Sequence, residues 1–310
     1  MNKFIGSVLS FIGGIILIYA GFKLFINKEQ LEILTSKPIE IHFYACLLTI
    51  PMYLLSGISS FILYKSVSKT TISLYDVVTL PFVISMWGFL IPFQGSYIYN
   101  SIYFKAKYHI TIVNTTSIYL LSVSISLIIA GILGIIYNCF FKQNSIFLIL
   151  SIASLIHPVF IFLSLYLLKK NKNTNQNFIG KMKNKIEIIF TDYMAALNGK
   201  NLSLLSIISL LDTLFYAAWS LWICKNLGFD LSFFQLLLLA SFVKLTLLVK
   251  LTPGNMGINQ FASSGIILLA GGTIAEGFTL SLYQTAIFII TSFLLGSVFS
   301  VMNMKYFFKK

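Results

Sequence analysis

An apolar region at residues 231–275 is broken at its centre by the polar stretch Leu251-Thr252-Pro253-Gly254-Asn255-Met256-Gly257-Ile258-Asn259-Gln260. A second apolar region, at residues 72–104, is broken at Pro92-Phe93-Gln94-Gly95. Such breaks end a helix and free backbone N–H and C=O groups, which lipid cannot satisfy. We therefore interpret both regions as re-entrant helical hairpins whose tips are the breaks. The alternative is that each region is a kinked span followed by a short loop.

The rest of the chain is dominated by apolar runs long enough to cross a bilayer, which takes about 20 residues. Six such runs are uninterrupted: 4–26, 41–64, 112–140, 146–168, 201–224 and 279–303. Of the 310 residues, 57% are hydrophobic and only 10% charged, whereas a soluble domain has about 25% charged residues. This composition excludes a soluble enzyme, a disordered protein and a nucleic-acid-binding factor. The sequence predicts an all-α polytopic membrane protein with six full transmembrane helices and two broken, re-entrant hairpins.

The net charge of +13 is explained by topology rather than by an acidic partner. All basic residues are lysines. If the N-terminus is cytoplasmic and both interrupted regions return to the side they entered from, 15 lysines face the cytoplasm and four face outside. This distribution obeys the positive-inside rule and predicts cytoplasmic N- and C-termini in a multi-pass protein of the bacterial cytoplasmic membrane. It leaves the depth of the hairpins open.

The order of these elements predicts an inverted repeat within one integral membrane domain. Residues 1–145 and 146–310 each contain two spans, an interrupted pair and a further span, and the two halves enter from opposite faces, as in many transporters. The linker 169–200 has apolar residues at helical spacing from Phe178 to Leu197. This pattern favours an amphipathic helix on the anionic inner leaflet; the alternative is a linker helix packed on the bundle.

Candidate binding residues cluster at the two tips. They are Pro92, Gln94, Gly95, Ser96 and Asn100 at the first, and Pro253, Gly254, Asn255, Gly257, Asn259 and Gln260 at the second. The half-helix that follows each break presents free N–H groups and a positive dipole end, which suit a lipid phosphate. The uncharged side chains suit a polar or sugar-bearing head group. The alternative is that these residues only satisfy the freed backbone.

Two charged residues supplement this predicted site. Asp212 lies in the middle of a span, where a carboxylate has to be protonated, paired or hydrated. Lys250 lies three residues before Pro253 and is expected either to reach an anionic head group or to snorkel to a surface. Lys244 fits both of these roles less well. By sequence, Lys244 and Lys250 are the nearest candidate cations for Asp212. Asp76 begins the first hairpin and is interpreted as a helix N-terminal cap.

No catalytic or cofactor-binding pattern accompanies these residues. The three histidines have no metal-ligand spacing, and there is neither a phosphate-binding glycine loop nor a nucleophile motif. We therefore expect no cofactor and no metal.

The stretch from Trp219 to Gly296 resembles the lysylphosphatidylglycerol synthase transmembrane-region family, also called flippase-like or UPF0104 proteins. The resemblance is most specific at 251–260, and the first break followed by 105–108 resembles the family's other Pro-x-x-Gly segment. It implies a bundle with two re-entrant segments that moves lipids or lipid-linked intermediates between leaflets. The family's acid after the second tip is replaced here by Gln260, and Ser96 and Tyr99 or Asn100 stand where the first tip has an acid and an Arg. The resemblance therefore implies either a divergent member that acts on a neutral-headed lipid or one that has lost activity.

These features predict a flippase-like translocase of lipids or lipid-linked glycans in envelope lipid or polysaccharide assembly. Its expected partners are membrane lipids, the anionic inner leaflet and envelope-biosynthesis proteins, and no nucleic acid. Two alternatives remain open at this point. One is an intramembrane transferase acting on a lipid carrier, with Asp212 or Asp76 as its base, and the other is a non-catalytic scaffold in the same pathway.

Overall fold

A computed structural model provides the structure of the protein. It describes residues 19, 23, 32, 36–68, 70–91, 95–140, 144–170, 178–196, 198–249 and 251–303. The predicted first span, 4–26, lies outside these residues except for two single positions. Three of the predicted site residues, Pro92, Gln94 and Lys250, also lie outside them.

The described residues fold into α-helices joined by short connections. In chain order these are α1 (Ile39–Ser68), α2 (Leu74–Leu90), α3 (Gly95–Tyr108), α4 (Ile112–Phe140), α5 (Ser145–Lys170), α6 (Phe178–Ala196), α7 (Gly199–Leu227), α8 (Phe233–Phe242), α9 (Ile258–Leu269) and α10 (Ile274–Asn303). Two short 3₁₀ segments, Val243–Leu248 and Pro253–Asn255, lie between α8 and α9.

Five of these helices, α1, α4, α5, α7 and α10, are long and apolar enough to cross a membrane. They correspond to five of the six predicted spans. Their outward faces carry large apolar side chains that a soluble protein would bury: Val159 and Phe160 on α5 are 64% and 67% exposed, and Leu294 on α10 is 64% exposed. The chain is therefore a multi-pass, all-helical membrane protein.

The first interrupted region forms a helical hairpin of α2 and α3. Ser73 caps the start of α2, where its hydroxyl accepts a hydrogen bond from the backbone N–H of Asp76. The two arms are antiparallel, because the start of α2 contacts the end of α3 through Asp76 and Lys107, while Gly95 lies against the end of α2. A Cβ atom at residue 95 would lie 2.6 Å from the carbonyl oxygen of Trp87, so only glycine permits this approach.

The second interrupted region forms a hairpin of the same kind from α8 and α9. Gln235 at the start of α8 donates from Nε2 to the carbonyl of Ala270 at the end of α9, at 3.0 Å. At the opposite end the chain reverses through Gly254, Asn255 and Gly257, which all have a positive φ, of 55°, 56° and 83°. The predicted break therefore consists of left-handed backbone, which explains its glycines and asparagine.

Helix contacts repeat when α1, α2, α3 and α4 are exchanged with α7, α8, α9 and α10. Helix α2 packs on α10 as α8 packs on α4, and α3 packs on α4 as α9 packs on α10. Helix α1 packs on α2 as α7 packs on α8, and α1 and α7 pack on each other. Each half thus places its broken hairpin against the last span of the other half.

The linker helix α6 packs on the bundle. Phe190 and Tyr193 are buried on its inner face against Phe162 of α5. The helix predicted within 169–200 is therefore present. Its packing on α5 agrees with the alternative interpretation, a linker helix packed on the bundle.

Candidate functional site

Residues beside the first break and residues of the second break line one small cavity, which we call the tip cavity. Its volume is about 210 Å³. Its walls come from both hairpins: Ser85, Gly88, Phe89, Ile91, Gly95 and Ser96 on one side and Thr246, Leu247, Thr252, Gly254, Asn255 and Asn259 on the other. The geometry thus brings five predicted site residues together: Gly95 and Ser96 from the first tip, and Gly254, Asn255 and Asn259 from the second.

The side chains of Asn255 and Asn259 at the second tip do not use all of their hydrogen-bonding atoms within the protein. Nδ2 of Asn255 donates to the carbonyl of Thr246 at 2.7 Å, and the hydroxyl of Thr246 donates to Oδ1 of Asn259 at 2.7 Å. Oδ1 of Asn255 is buried and makes no hydrogen bond to any described residue. One buried acceptor and the amide of Asn259 therefore remain for a ligand.

The side chain of Gln260 binds the backbone of Gly257 and does not line the tip cavity. Gln260 is fully buried, its Oε1 accepts from the N–H of Gly257 at 2.6 Å, and its Nε2 donates to the hydroxyl of Thr285 at 2.8 Å. Pro253 is buried within the 3₁₀ turn. The hydrogen bond between Gln260 and Gly257 is the kind that the alternative interpretation expects, in which polar side chains at the break satisfy the freed backbone.

Asn100 lies away from the tip cavity, on the wall of a larger one. This central cavity has a volume of about 400 Å³ and lies between α1, α2 and α7. Nδ2 of Asn100 donates to the hydroxyl of Tyr64 at 3.0 Å, while its buried Oδ1 has no partner among the described residues. Ser85 lines both the central and the tip cavity, so the two cavities are neighbours.

Asp212 is paired with Lys244. Nζ of Lys244 lies 3.1 Å from Oδ2 of Asp212 and 2.7 Å from the hydroxyl of Thr213. Asp212 lines the central cavity and a smaller one rich in serine, whereas Lys244 lines a cavity of about 170 Å³ next to the second break, which we call the lysine cavity. The sequence offered Lys244 and Lys250 as candidate cations for Asp212, and among the described residues Lys244 is the partner.

A second ion pair ties the arms of the first hairpin together. Nζ of Lys107 lies 2.7 Å from Oδ2 of Asp76, and the Asp76 side chain is fully buried. The carboxylate also accepts hydrogen bonds from the hydroxyls of Tyr103 and Tyr108. The interpretation of Asp76 as the cap of α2 is wrong, because Ser73 is the cap and Asp76 joins α2 to α3.

The sequence contains a pattern that hints at the cluster of Tyr103, Lys107 and Tyr108 around Asp76. Tyr103 and Lys107 are four residues apart and thus share one face of α3, and Tyr108 follows directly. Only the antiparallel pairing of the hairpin brings that face to the start of α2.

The cavities share lining residues and together form one region within the bundle, whose wall is mostly apolar and carries some polar groups. Thr246, Leu247 and Asn259 line both the tip cavity and the lysine cavity, while Tyr216 and Phe288 line both the lysine cavity and the central cavity. Uncharged donors and acceptors make up most of its polar wall, and each carboxylate on it is held by a lysine. Such a region suits binding of a polar group that arrives from the membrane.

No protein-family model matches the sequence, and no curated protein or solved structure matches it either.

Proposed function

We propose that the protein translocates a lipid or lipid-linked glycan between the leaflets of the bacterial cytoplasmic membrane, in envelope lipid or polysaccharide assembly. The observation that carries this proposal is that polar residues beside both helical breaks line one cavity, within a bundle of helices long and apolar enough to cross a membrane. Irregular backbone is tolerated at membrane depth where it lines a cavity. The resemblance of residues 219–296 to flippase-like proteins supports the same function, with this chain as a divergent relative.

The proposed topology has six full spans, two re-entrant hairpins and cytoplasmic termini. The pairwise correspondence of helix contacts between the halves supports an inverted repeat, since each hairpin packs on the last span of the other half. In this arrangement the two tips approach the midplane from opposite faces. Linker helix α6 then lies on the cytoplasmic side.

Translocation requires that a head group cross the apolar bilayer core, where an unsatisfied polar group costs several kcal/mol. The cavities offer replacement hydrogen bonds along part of this path, from Asn100 and Ser85 to Asn255 and Asn259. The acyl chains stay in lipid.

The two ion pairs favour translocation over an intramembrane transferase. A transferase needs a carboxylate that accepts a proton from its substrate. Asp76 is held by Lys107 and two tyrosine hydroxyls, and Asp212 is held by Lys244. Both carboxylates of the predicted transferase mechanism are thus already neutralised by a cation.

A liposome assay tests the proposal. The purified protein is reconstituted with a fluorescent phospholipid, and a reductant that cannot cross the membrane quenches the outer leaflet. Translocation is expected to expose nearly all of the fluorescent lipid, whereas protein-free liposomes expose about the outer half. Ser96→Leu fills the tip cavity and is expected to slow quenching of the inner pool.

Ser297→Leu is the matched control, because Ser297 is exposed on α10 and does not line the cavities described above. We expect it to leave the rate unchanged. Equal rates for the two variants, or no quenching of the inner pool by the wild-type protein, would reject the proposal.

A further inference from the structure

Lys244 lies where it can bind a second anion besides Asp212. It is part of the 3₁₀ segment Val243–Leu248, which extends α8 towards the second break. Its side chain is only 14% exposed, and its ammonium donates to Asp212 and Thr213. An ammonium group has three donors, so these two bonds leave one for another ligand.

The lysine cavity has no carboxylate among the residues that line it. Its polar wall consists of Asn259, Gln284, Ser281, Thr285, Thr246 and Tyr216. Asp212 lines the central and serine-rich cavities instead. Lys244 therefore lines a cavity with one cation and no anion among its lining residues. Its ion-pair partner Asp212 lines other cavities.

Asn259 adds a donor at the same cavity. Its Oδ1 accepts from Thr246, which leaves the amide hydrogens on Nδ2 for a ligand. An ammonium and an amide beside a cavity of about 170 Å³ match the acceptor oxygens of a phosphate group.

We propose that Lys244 binds the phosphate of a lipid head group, with Asp212 as the competing anion within the protein. Binding shifts the ammonium from the carboxylate to the phosphate, and release shifts it back. This inference rests on the proposed function for the identity of the ligand as a lipid. It assigns an anionic head group to the site, whereas the absence of charge at the tips alone favours a neutral one.

The exchange predicts that replacing Lys244 and replacing Asp212 change the affinity for a phospholipid in opposite directions. The probe is dihexanoyl phosphatidylglycerol, titrated into the purified protein in a neutral detergent and followed by calorimetry. Lys244→Met removes the cation and is expected to weaken binding about tenfold or more. Asp212→Asn removes the competitor and is expected to tighten binding about threefold.

Lys225→Met is the matched control, because Lys225 is exposed in the last turn of α7. It is expected to leave the affinity unchanged. Weaker binding in both Lys244→Met and Asp212→Asn would identify a purely structural ion pair and overturn the proposal. If Lys244→Met does not fold, the sign of the change in Asp212→Asn decides the question alone.

Two further titrations identify the source of the phosphate. Inorganic phosphate is expected to bind much more weakly than the lipid, and an equal affinity would overturn the assignment to a lipid. Dihexanoyl phosphatidylcholine, whose own ammonium neutralises the phosphate, is expected to bind more weakly than phosphatidylglycerol. Opposite effects of the two variants without translocation in liposomes would reject the proposed function and leave the phosphate site standing. Translocation without opposite effects would reject the phosphate site alone.

Discussion

The ring of Phe89, near the end of α2, lies directly against Gly254 in the second break. A Cβ atom at residue 254 would lie 2.1 Å from Cδ1 of Phe89. The two hairpins therefore touch at Gly254, because this residue has no side chain to keep Phe89 away. Both residues line the tip cavity.

Gly254→Ala is expected to destabilise the protein in two ways. Residue 254 has a φ of 55°, and a left-handed conformation costs alanine about 1–2 kcal/mol. The methyl group also displaces Phe89, and overpacking of this kind costs about 1–3 kcal/mol. The measurement is the thermal midpoint in a neutral detergent, which we expect to fall.

Gly228→Ala separates these two effects. Residue 228 has a φ of 82°, and a Cβ atom there meets nothing within 4 Å, so this variant carries backbone strain without a clash. Gly254→Ala should lower the midpoint more than Gly228→Ala does, and the difference should disappear in a Phe89→Ala background. Equal losses in the wild-type background would contradict the tight contact.

The two ion pairs are expected to differ in their contribution to stability. Removing one partner of a buried pair costs about 3–5 kcal/mol, and the Asp76 side chain is fully buried. The Asp212 side chain is 34% exposed, and solvated pairs contribute about 0–1 kcal/mol. Asp76→Ala should therefore lower the thermal midpoint clearly more than Asp212→Ala. The reverse order would show that the first hairpin does not depend on the pair between Asp76 and Lys107.

Gln260→Met keeps the length of the side chain and removes its hydrogen bonds. The buried N–H of Gly257 loses its partner, at a cost of about 1–3 kcal/mol. The hydroxyl of Thr285 loses one donor but keeps its own hydrogen bond to the carbonyl of Ser281. Gln235 occupies the equivalent third position of α8 and is only partly buried, so water can replace its bonds. Gln235→Met should lower the midpoint less, and a larger loss there would argue against the role of Gln260.

Asp192 on α6 is expected to make stability depend on pH. Burial raises the pKa of its carboxyl, and hydrogen bonds from Asn114 and Ser117 of α4 oppose this shift without cancelling it. The folded protein thus holds this proton to a higher pH than the unfolded chain does. The stabilisation is fully present below the ordinary aspartate pKa of about 3.9 and is lost as pH rises through the raised pKa.

Thermal midpoints at a series of pH values test this linkage. The midpoint of the wild-type protein relative to Asp192→Asn is expected to fall as pH rises from about 4, because the amide in the variant stays neutral at every pH. Glu187→Gln is the control, since Glu187 is exposed on the same helix. A constant difference between wild type and Asp192→Asn would contradict the shift.

Hydropathy alone located the membrane-crossing helices. The predicted runs 112–140 and 146–168 agree with α4 and α5 within a few residues, because an apolar segment of that length has no other stable environment. The second break was equally predictable, since Pro253, Gly254 and Gly257 cannot continue a helix. These are properties of local sequence.

Pairings between helices were not predictable in the same way. Lys244 and Lys250 were both candidate cations for Asp212, and only the packing of α8 on α7 shows that Lys244 reaches it. Lys107 entered the sequence argument as a topological charge and within the segment 105–108, not as a partner of Asp76. Its contact with Asp76 depends on the antiparallel pairing of α2 and α3.

A disulfide across the tip cavity tests the central claim, that a head group passes through this cavity. A Cβ atom at residue 254 would lie 3.3 Å from Cγ of Phe89, so cysteines at positions 89 and 254 are within reach of each other. The native cysteines Cys46, Cys139 and Cys224 are first replaced by alanine. The measurement is the rate of lipid translocation in liposomes before and after reduction of Phe89→Cys/Gly254→Cys. Slow translocation in the oxidised protein that recovers on reduction is the predicted result, and an unchanged rate with complete cross-linking would contradict the account.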